Sequence, residues 1–160
     1  MSKAYKVYVV LDNIRSVHNT ASIFRTADCA GVAAVYLCGT TPTPIDRFGR
    51  ERNDFKKVAL GAEKSVVWHY FKKTEEAIKD LKKRKVYIVG IEQDERSIDW
   101  RKIKKAGDMA VVLGPEVTGL SRQVLSLCDQ IAEIPMCGKK ESLNVAVAAG
   151  VILFSPSIFY

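Results

Sequence analysis

Short runs of β-branched and aliphatic residues alternate along this chain with stretches whose apolar positions recur every three or four residues. Lys6 to Leu11 reads as a strand, Asn19 to Ala30 as a helix and Ala34 to Leu37 as the next strand, with Gly31 closing the helix. That is one complete βαβ unit. Gly39 to Asn53, which carries Thr-Thr-Pro-Thr-Pro and Arg47-Phe48-Gly49-Arg50, predicts a long exposed loop. Beyond it, strands are predicted at Val66 to Tyr70, Val86 to Ile91, Ala110 to Leu113 and Ile131 to Ile134. A basic helix over Thr74 to Lys83, capped by Thr74, and an apolar, buried helix over Ser142 to Phe154, ended by Pro156, complete the pattern. The class is α/β: a mainly parallel sheet with helices on both faces, its ligands expected beyond the carboxyl ends of the strands.

Composition narrows this picture. The chain has 160 residues, 48% of them hydrophobic and 27% charged, enough apolar material for a single packed domain over residues 1–160. Its first strand starts within ten residues of Met1, so no separate RNA-binding extension is expected. Met1 to Lys6 holds no long apolar region and Val7 to Leu11 is too short for a signal peptide or membrane span, which points to a cytoplasmic setting. The four cysteines form no CxxC pair and no Cys/His cluster, so neither a zinc site nor a disulfide framework is expected; they read as reduced, small core residues. A net charge of +7 favours polyanions, nucleic acid first, although a solubilising face explains the excess equally well. The same duality holds for Lys79, Lys82, Lys83 and Arg84, read as a solvated helix face, and for the loop arginines flanking Phe48, which suit either base stacking or simple solvation.

Three stretches put turn-forming and polar residues where a parallel strand ends and a helix begins, and so share one rim of the sheet. In the first, Asn13 to Asp28, Asn19 is placed to cap backbone donors. Arg25, six residues on, offers a rigid fork suited to phosphate, or is an ordinary exposed helix arginine. The second, Val111 to Ser121, is an apolar strand breaking into a loop bounded by Gly114 and Gly119 and ending in a helix cap at Ser121. Glu116 inside that loop either accepts hydrogen bonds from a substrate, orients Arg25, or binds backbone amides. The third, Ile134 to Gly150, feeds a polar turn into the apolar helix, with Ser142 as expected N-cap and Asn144 an odd polar residue in its first turn that needs a ligand or neighbouring loop as partner.

Together these stretches closely resemble the SpoU (TrmH-like) family of the SPOUT superfamily of RNA 2′-O-ribose methyltransferases. The N-x(5)-R motif matches Asn19 and Arg25, G-x-E-x-x-G-L matches Gly114, Glu116, Gly119 and Leu120, and I-P-M-x-G…S-L-N-V-x-V-A matches Ile134 through Ala148. Ala59-Leu60-Gly61-Ala62-Glu63 also looks like a stretch these proteins carry before a strand. Ala21 stands where many relatives have glycine.

The resemblance implies a carboxyl-terminal trefoil knot, S-adenosyl-L-methionine as methyl donor, and a homodimer whose interface includes the apolar helix. By carry-over, Ile91, Glu92, Gly114, Ile134, Met136, Ser142 and Leu143 line the cofactor site. Arg25 engages the RNA phosphate and helps activate the ribose hydroxyl, while Asn19, Glu116, Ser142 and Asn144 organise the site. The substrate is an RNA, tRNA ahead of rRNA, and no metal is required. Competing readings are a non-catalytic RNA-binding module on the same fold, a base-directed methyltransferase, a serine hydrolase built on Ser142 with His18 or His69, and a dinucleotide-binding domain. The last two lack a G-x-S-x-G elbow and a glycine-rich first turn.

Overall fold

The computed structural model describes residues 5–104 and 107–159; the first four residues of the stretch read for a leader lie outside them. Seven strands, β1 (Val7–Asp12), β2 (Ala34–Cys38), β3 (Trp68–Phe71), β4 (Tyr87–Ile91), β5 (Ile98–Asp99), β6 (Met109–Leu113) and β7 (Gln130–Glu133), form one sheet. Its order is β3-β2-β1-β6-β4-β7-β5, and every pairing is parallel. All strands therefore end on one rim, at Asp12, Cys38, Phe71, Ile91, Asp99, Leu113 and Glu133.

Among the described residues the α-helices are α1 (Val17–Ala30), α2 (Asn53–Ala59), α3 (Ala62–Ser65), α4 (Thr74–Lys83), α5 (Arg122–Leu127), α6 (Val145–Leu153) and α7 (Pro156–Phe159). Both faces of the sheet are covered, which is why the central strands read as continuous apolar runs rather than alternating ones. Alternate residues still divide between two cores. Val7, Val9 and Leu11 pack with Ile23 and Phe24 of α1 and Ile152 of α6, whereas Tyr8 and Val10 pack with Ile78 and Leu81 of α4 and Val124 of α5.

Several local expectations are corrected. The loop predicted from Gly39 to Asn53 is followed by α2 and α3; Leu60 and Gly61, with φ of 54° and 96°, make the left-handed break between them, so the Ala-Leu-Gly-Ala stretch joins two helices. Phe55 of α2 meets the Phe24 ring edge-on at 5.1 Å, a tertiary contact that stabilises a helix too short to be evident in the pattern. Thr74 does not cap α4: Lys73 occupies that position, and the buried Thr74 hydroxyl donates instead to the Asp12 carboxylate. The apolar helix starts at Val145, three residues later than predicted, with Asn144 rather than Ser142 as its cap. Nor is it wholly buried, since Val147 is half exposed. Of the cysteines, Cys38 is buried and Cys128 partly so, but Cys29 and Cys137 are exposed rather than core residues. Among the described residues no helix is long and apolar enough to cross a membrane, and no group of side chains is arranged to hold a metal ion.

Candidate active site

β6 lies between β1 and β4, the two strands from which the chain sets out toward opposite edges of the sheet. Such a reversal opens a crevice at the carboxyl ends of the strands, where loops from both sides converge. Here the loops after β1, β4, β6 and β7 meet.

The loop after β6 is held by close backbone approach. Gly119, at φ 65°, sits so near Glu92 that a Cβ there would lie 2.4 Å from Glu92 Oε2. The same oxygen accepts the Leu120 amide at 2.8 Å, and Oε1 accepts the Gln93 amide at 3.0 Å. At Gly114 a Cβ would lie 2.8 Å from the Leu120 side chain and 3.0 Å from its amide nitrogen, so any side chain there would have to displace Leu120. From the loop after β4, Gln93 Nε2 donates to the Glu141 carbonyl at 2.6 Å, tying it to the segment that leads into α6.

A second set of contacts joins the loop after β6 to two helix starts. Ser16 caps α1, its Oγ accepting the Asn19 amide at 3.1 Å, so Asn19 itself is free for tertiary bonding rather than capping. Asn19 Nδ2 donates to Glu116 Oε1 at 3.3 Å, and its Oδ1 accepts from Asn144 Nδ2 at 3.2 Å. Glu116 Oε1 also accepts the Val145 amide at 3.0 Å, and Asn144 Oδ1 accepts the Ala146 amide at 2.8 Å. Asn144 thus finds the partner its position demands on α1. Asn19, Glu116 and Asn144 form one connected cluster.

Around this cluster lie two cavities that share the wall from Pro115 to Gly119 and Val145. The smaller, about 290 Å³, is lined by all seven residues expected at a cofactor site: Ile91, Glu92, Gly114, Ile134, Met136, Ser142 and Leu143. Its walls are otherwise apolar apart from Gln93, Thr118 and the carboxylates of Glu116, Glu133 and Glu141; among the described residues no Lys, Arg or His lines it. The larger, about 960 Å³, adds Arg15, Lys72, Lys73 and Lys79 to the acidic groups Asp12, Glu75, Glu76 and Glu116. Arg15, Lys72, Lys73 and the carboxylate Asp12 were not singled out from the sequence, whereas Lys79, read there as part of a solvated helix face, borders this groove. Asp12, only 5% exposed, accepts from Thr74 and, at 2.8 Å, from Asn13 Nδ2. The available signal was Asp-Asn ending an otherwise apolar strand.

Arg25 is not brought to this cluster. Six residues along a helix is about 240° of rotation, which carries Arg25 away from Asn19, and it stands exposed outside the lining of both cavities. Glu116 is therefore bonded to Asn19 and Val145, not to Arg25. His18 and His69 line neither cavity, which removes the hydrolase reading of Ser142.

The fold and crevice define an all-parallel α/β protein whose ligand site is built from strand-end loops. Residues 6–154 match the SpoU rRNA methylase family, and the chain belongs to that family. It is 36% identical over 146 residues to the 23S rRNA (guanosine-2′-O-)-methyltransferase RlmB of Ralstonia nicotianae, covering 91% of this chain and 56% of the relative. The corresponding enzyme of Vibrio vulnificus is 34% identical over 151 residues, 94% of this chain and 58% of that one. The chain thus spans little more than half the length of these curated relatives. Among solved structures, an AdoMet-bound rRNA methyltransferase from Sinorhizobium meliloti superposes with a TM-score of 0.85 at 29% identity, over 95% of this chain and 56% of that chain. A TrmH/SpoU tRNA modifying enzyme from A. aeolicus gives 0.81 at 27% identity, over 95% and 74% of the two chains.

Proposed function

We propose that this protein transfers a methyl group from S-adenosyl-L-methionine to a ribose 2′-hydroxyl of RNA. The observation that carries this reading is the contrast between two adjoining cavities. A cavity walled by apolar side chains and carboxylates, with no cation among its described lining residues, suits an adenine-bearing sulfonium and repels a phosphate-bearing nucleotide. Across the shared wall, Arg15, Lys72, Lys73 and Lys79 supply the positive groups that a polynucleotide backbone needs. When bound, the cofactor supplies an electrophilic methyl group.

The chain's own part is placement. Gly114 and Gly119 bring main chain to the cavity, Glu92 clamps the amide of Leu120, and Glu116 with Asn19 and Asn144 fixes the wall between cofactor and RNA. A ribose hydroxyl is a weak nucleophile at neutral pH, so alignment about 3 Å from the methyl carbon and help with proton loss carry the catalysis. Arg25 is assigned the RNA phosphate beside that hydroxyl. Because it stands away from the cavities of its own chain, the reading includes a homodimer in which Arg25 of one subunit serves the cavities of the other. The half-exposed Val147 on α6 and Phe154, which follows it, supply apolar surface for such an interface. The carboxyl-terminal trefoil knot belongs to the same reading, supported by β6 and β7 entering the sheet between strands formed earlier in the chain. The relatives named for 23S rRNA move the expected substrate from tRNA to rRNA, modified in the cytoplasm.

Titration calorimetry with S-adenosylmethionine, followed by transfer of labelled methyl to unmodified rRNA and tRNA, tests the assignment. Heat of binding and a 2′-O-methylated nucleotide, recognised by nuclease resistance and mass spectrometry, are expected. Binding without transfer leaves a non-catalytic RNA-binding module, a methylated base makes the protein base-directed, and absence of binding removes the reading.

A further inference from the structure

The segment 39–52 is a shaped surface. Its centre is Asp46, whose Oδ1 accepts the amides of Phe48 at 2.8 Å and Arg50 at 3.0 Å while Oδ2 accepts Arg50 Nε at 3.0 Å. Backbone bonds from Asp46 N to Arg50 O (2.8 Å) and from Arg52 N to Pro44 O (3.0 Å) close the hairpin, with an antiparallel bridge between Ile45 and Glu51. The bond from the Arg50 amide leads the effects that hold the Asp46 carboxyl below the usual carboxylate range, so the clamp is in place at neutral pH.

What the clamp displays is an aromatic ring with two cations. Phe48 is 66% exposed, and the guanidinium carbons of Arg47 and Arg50 lie 4.8 and 5.0 Å from its ring centroid. A solvated loop gains nothing from ordering an apolar ring at its tip, since exposure of that ring to water is unfavourable. Flat aromatic and guanidinium faces are what an unpaired base stacks upon, and the same guanidiniums answer its phosphate.

Position relates the ring to the site already described. Beneath the loop is a cavity of about 620 Å³ bordered by Gly39, Thr41, Phe48 and Tyr70, the Tyr70 hydroxyl donating to the Gly39 carbonyl at 3.0 Å. The neighbouring Thr40 and Lys72 line the large cationic groove. Gly39, Thr40 and Thr41, consecutive in the chain, thus border the two depressions in turn.

We infer that Phe48, flanked by Arg47 and Arg50, is a stacking platform for an unpaired nucleotide of the RNA, which makes single-stranded or looped RNA the recognised form. This rests on the RNA-substrate reading above but not on catalysis. The occupant is RNA rather than a membrane or protein because two guanidiniums, those of Arg47 and Arg50, flank a single exposed aromatic ring.

The test uses the full chain and a fluorescein-labelled 12-nucleotide single-stranded RNA, with the same sequence as a duplex. The single strand is expected to bind more tightly, and Phe48→Ala to weaken it by about 5- to 150-fold, the range for losing one stacked base, while leaving the duplex unaffected. Phe48→Trp restores binding and Phe48→Leu does not, because leucine keeps apolar bulk but has no π-face. Equal affinity of Phe48→Ala and wild type, no binding of the single strand by the wild type, full rescue by leucine, or an altered oligomeric state in place of altered RNA affinity would each overturn the platform. Calorimetry with S-adenosylmethionine on the same variants separates the two readings. Intact cofactor binding with unchanged RNA affinity removes only the platform, and absent cofactor binding removes only the methyltransferase.

Discussion

Asn19 and Glu116, 97 residues apart in sequence, are joined by a 3.3 Å hydrogen bond that ties the start of α1 to the loop after β6. Since the same Glu116 oxygen accepts the first amide of α6, one carboxylate sets the positions of three chain segments. Glu116→Gln keeps an acceptor but removes a charge from the cofactor cavity. It is expected to leave the melting temperature nearly unchanged and to weaken S-adenosylmethionine more than the neutral product S-adenosylhomocysteine, by about 1 kcal/mol in calorimetry. Equal losses for the two ligands would show that the cavity does not discriminate by charge.

Gly119 is expected to tolerate no side chain. Its left-handed backbone and the 2.4 Å approach to Glu92 combine strain with displacement of the carboxylate that holds the Leu120 amide. Gly119→Ala should cost about 1–3 kcal/mol of stability in thermal unfolding and abolish cofactor binding. Gly138→Ala, where an added Cβ meets nothing within 4 Å, serves as the neutral control.

Arg25→Ala is expected to preserve the heat of S-adenosylmethionine binding while reducing methyl transfer by at least about 100-fold. If the site is shared between subunits, mixing inactive Arg25→Ala with inactive Glu116→Ala protein restores transfer, because one site of each mixed dimer carries both native residues. Failure of the mixture to recover activity would place Arg25 and Glu116 in the same subunit's site or remove Arg25 from the reaction.

Burial divides the cysteines. Desolvation pushes the Cys38 thiol up to about 12 and the Cys128 thiol up to about 11, so neither is a thiolate at neutral pH, whereas Cys29 and Cys137 are exposed. A thiol reagent at pH 8 should modify two cysteines in the folded protein and four after denaturation, with peptide mapping placing the fast pair at Cys29 and Cys137.

Thr74→Val removes the hydroxyl that Asp12 accepts beneath the larger groove, leaving a nearly buried carboxylate with one protein donor fewer. A loss of about 1–3 kcal/mol in denaturant unfolding is expected. Thr74→Ser, which retains the donor, should recover most of it.

Much of this was legible in the chain itself, because strand and helix periodicities are local and each of the three polar stretches sits at a strand end. β1, α1, β2, α4, β6 and the capping of α5 by Ser121 follow from spacing alone, whereas the residues lining the smaller cavity were expected from the family resemblance of their motifs, not from spacing. What the sequence left open depends on contacts between distant segments. β5, at two residues, is too short to leave a pattern, and α2 is stabilised by packing Phe55 on Phe24. The N-cap of α6 is Asn144 rather than Ser142 because capping is decided by which side chain reaches a free amide, and here Asn144 reaches Ala146. Only the tertiary structure placed β6 between β1 and β4 and joined Asn19 to Glu116 and Asn144, whereas the turning of Arg25 away from Asn19 already follows from the helix period. Residue types fix which local geometries are favourable, but the sheet order and the packing of whole faces decide which of those local pieces meet.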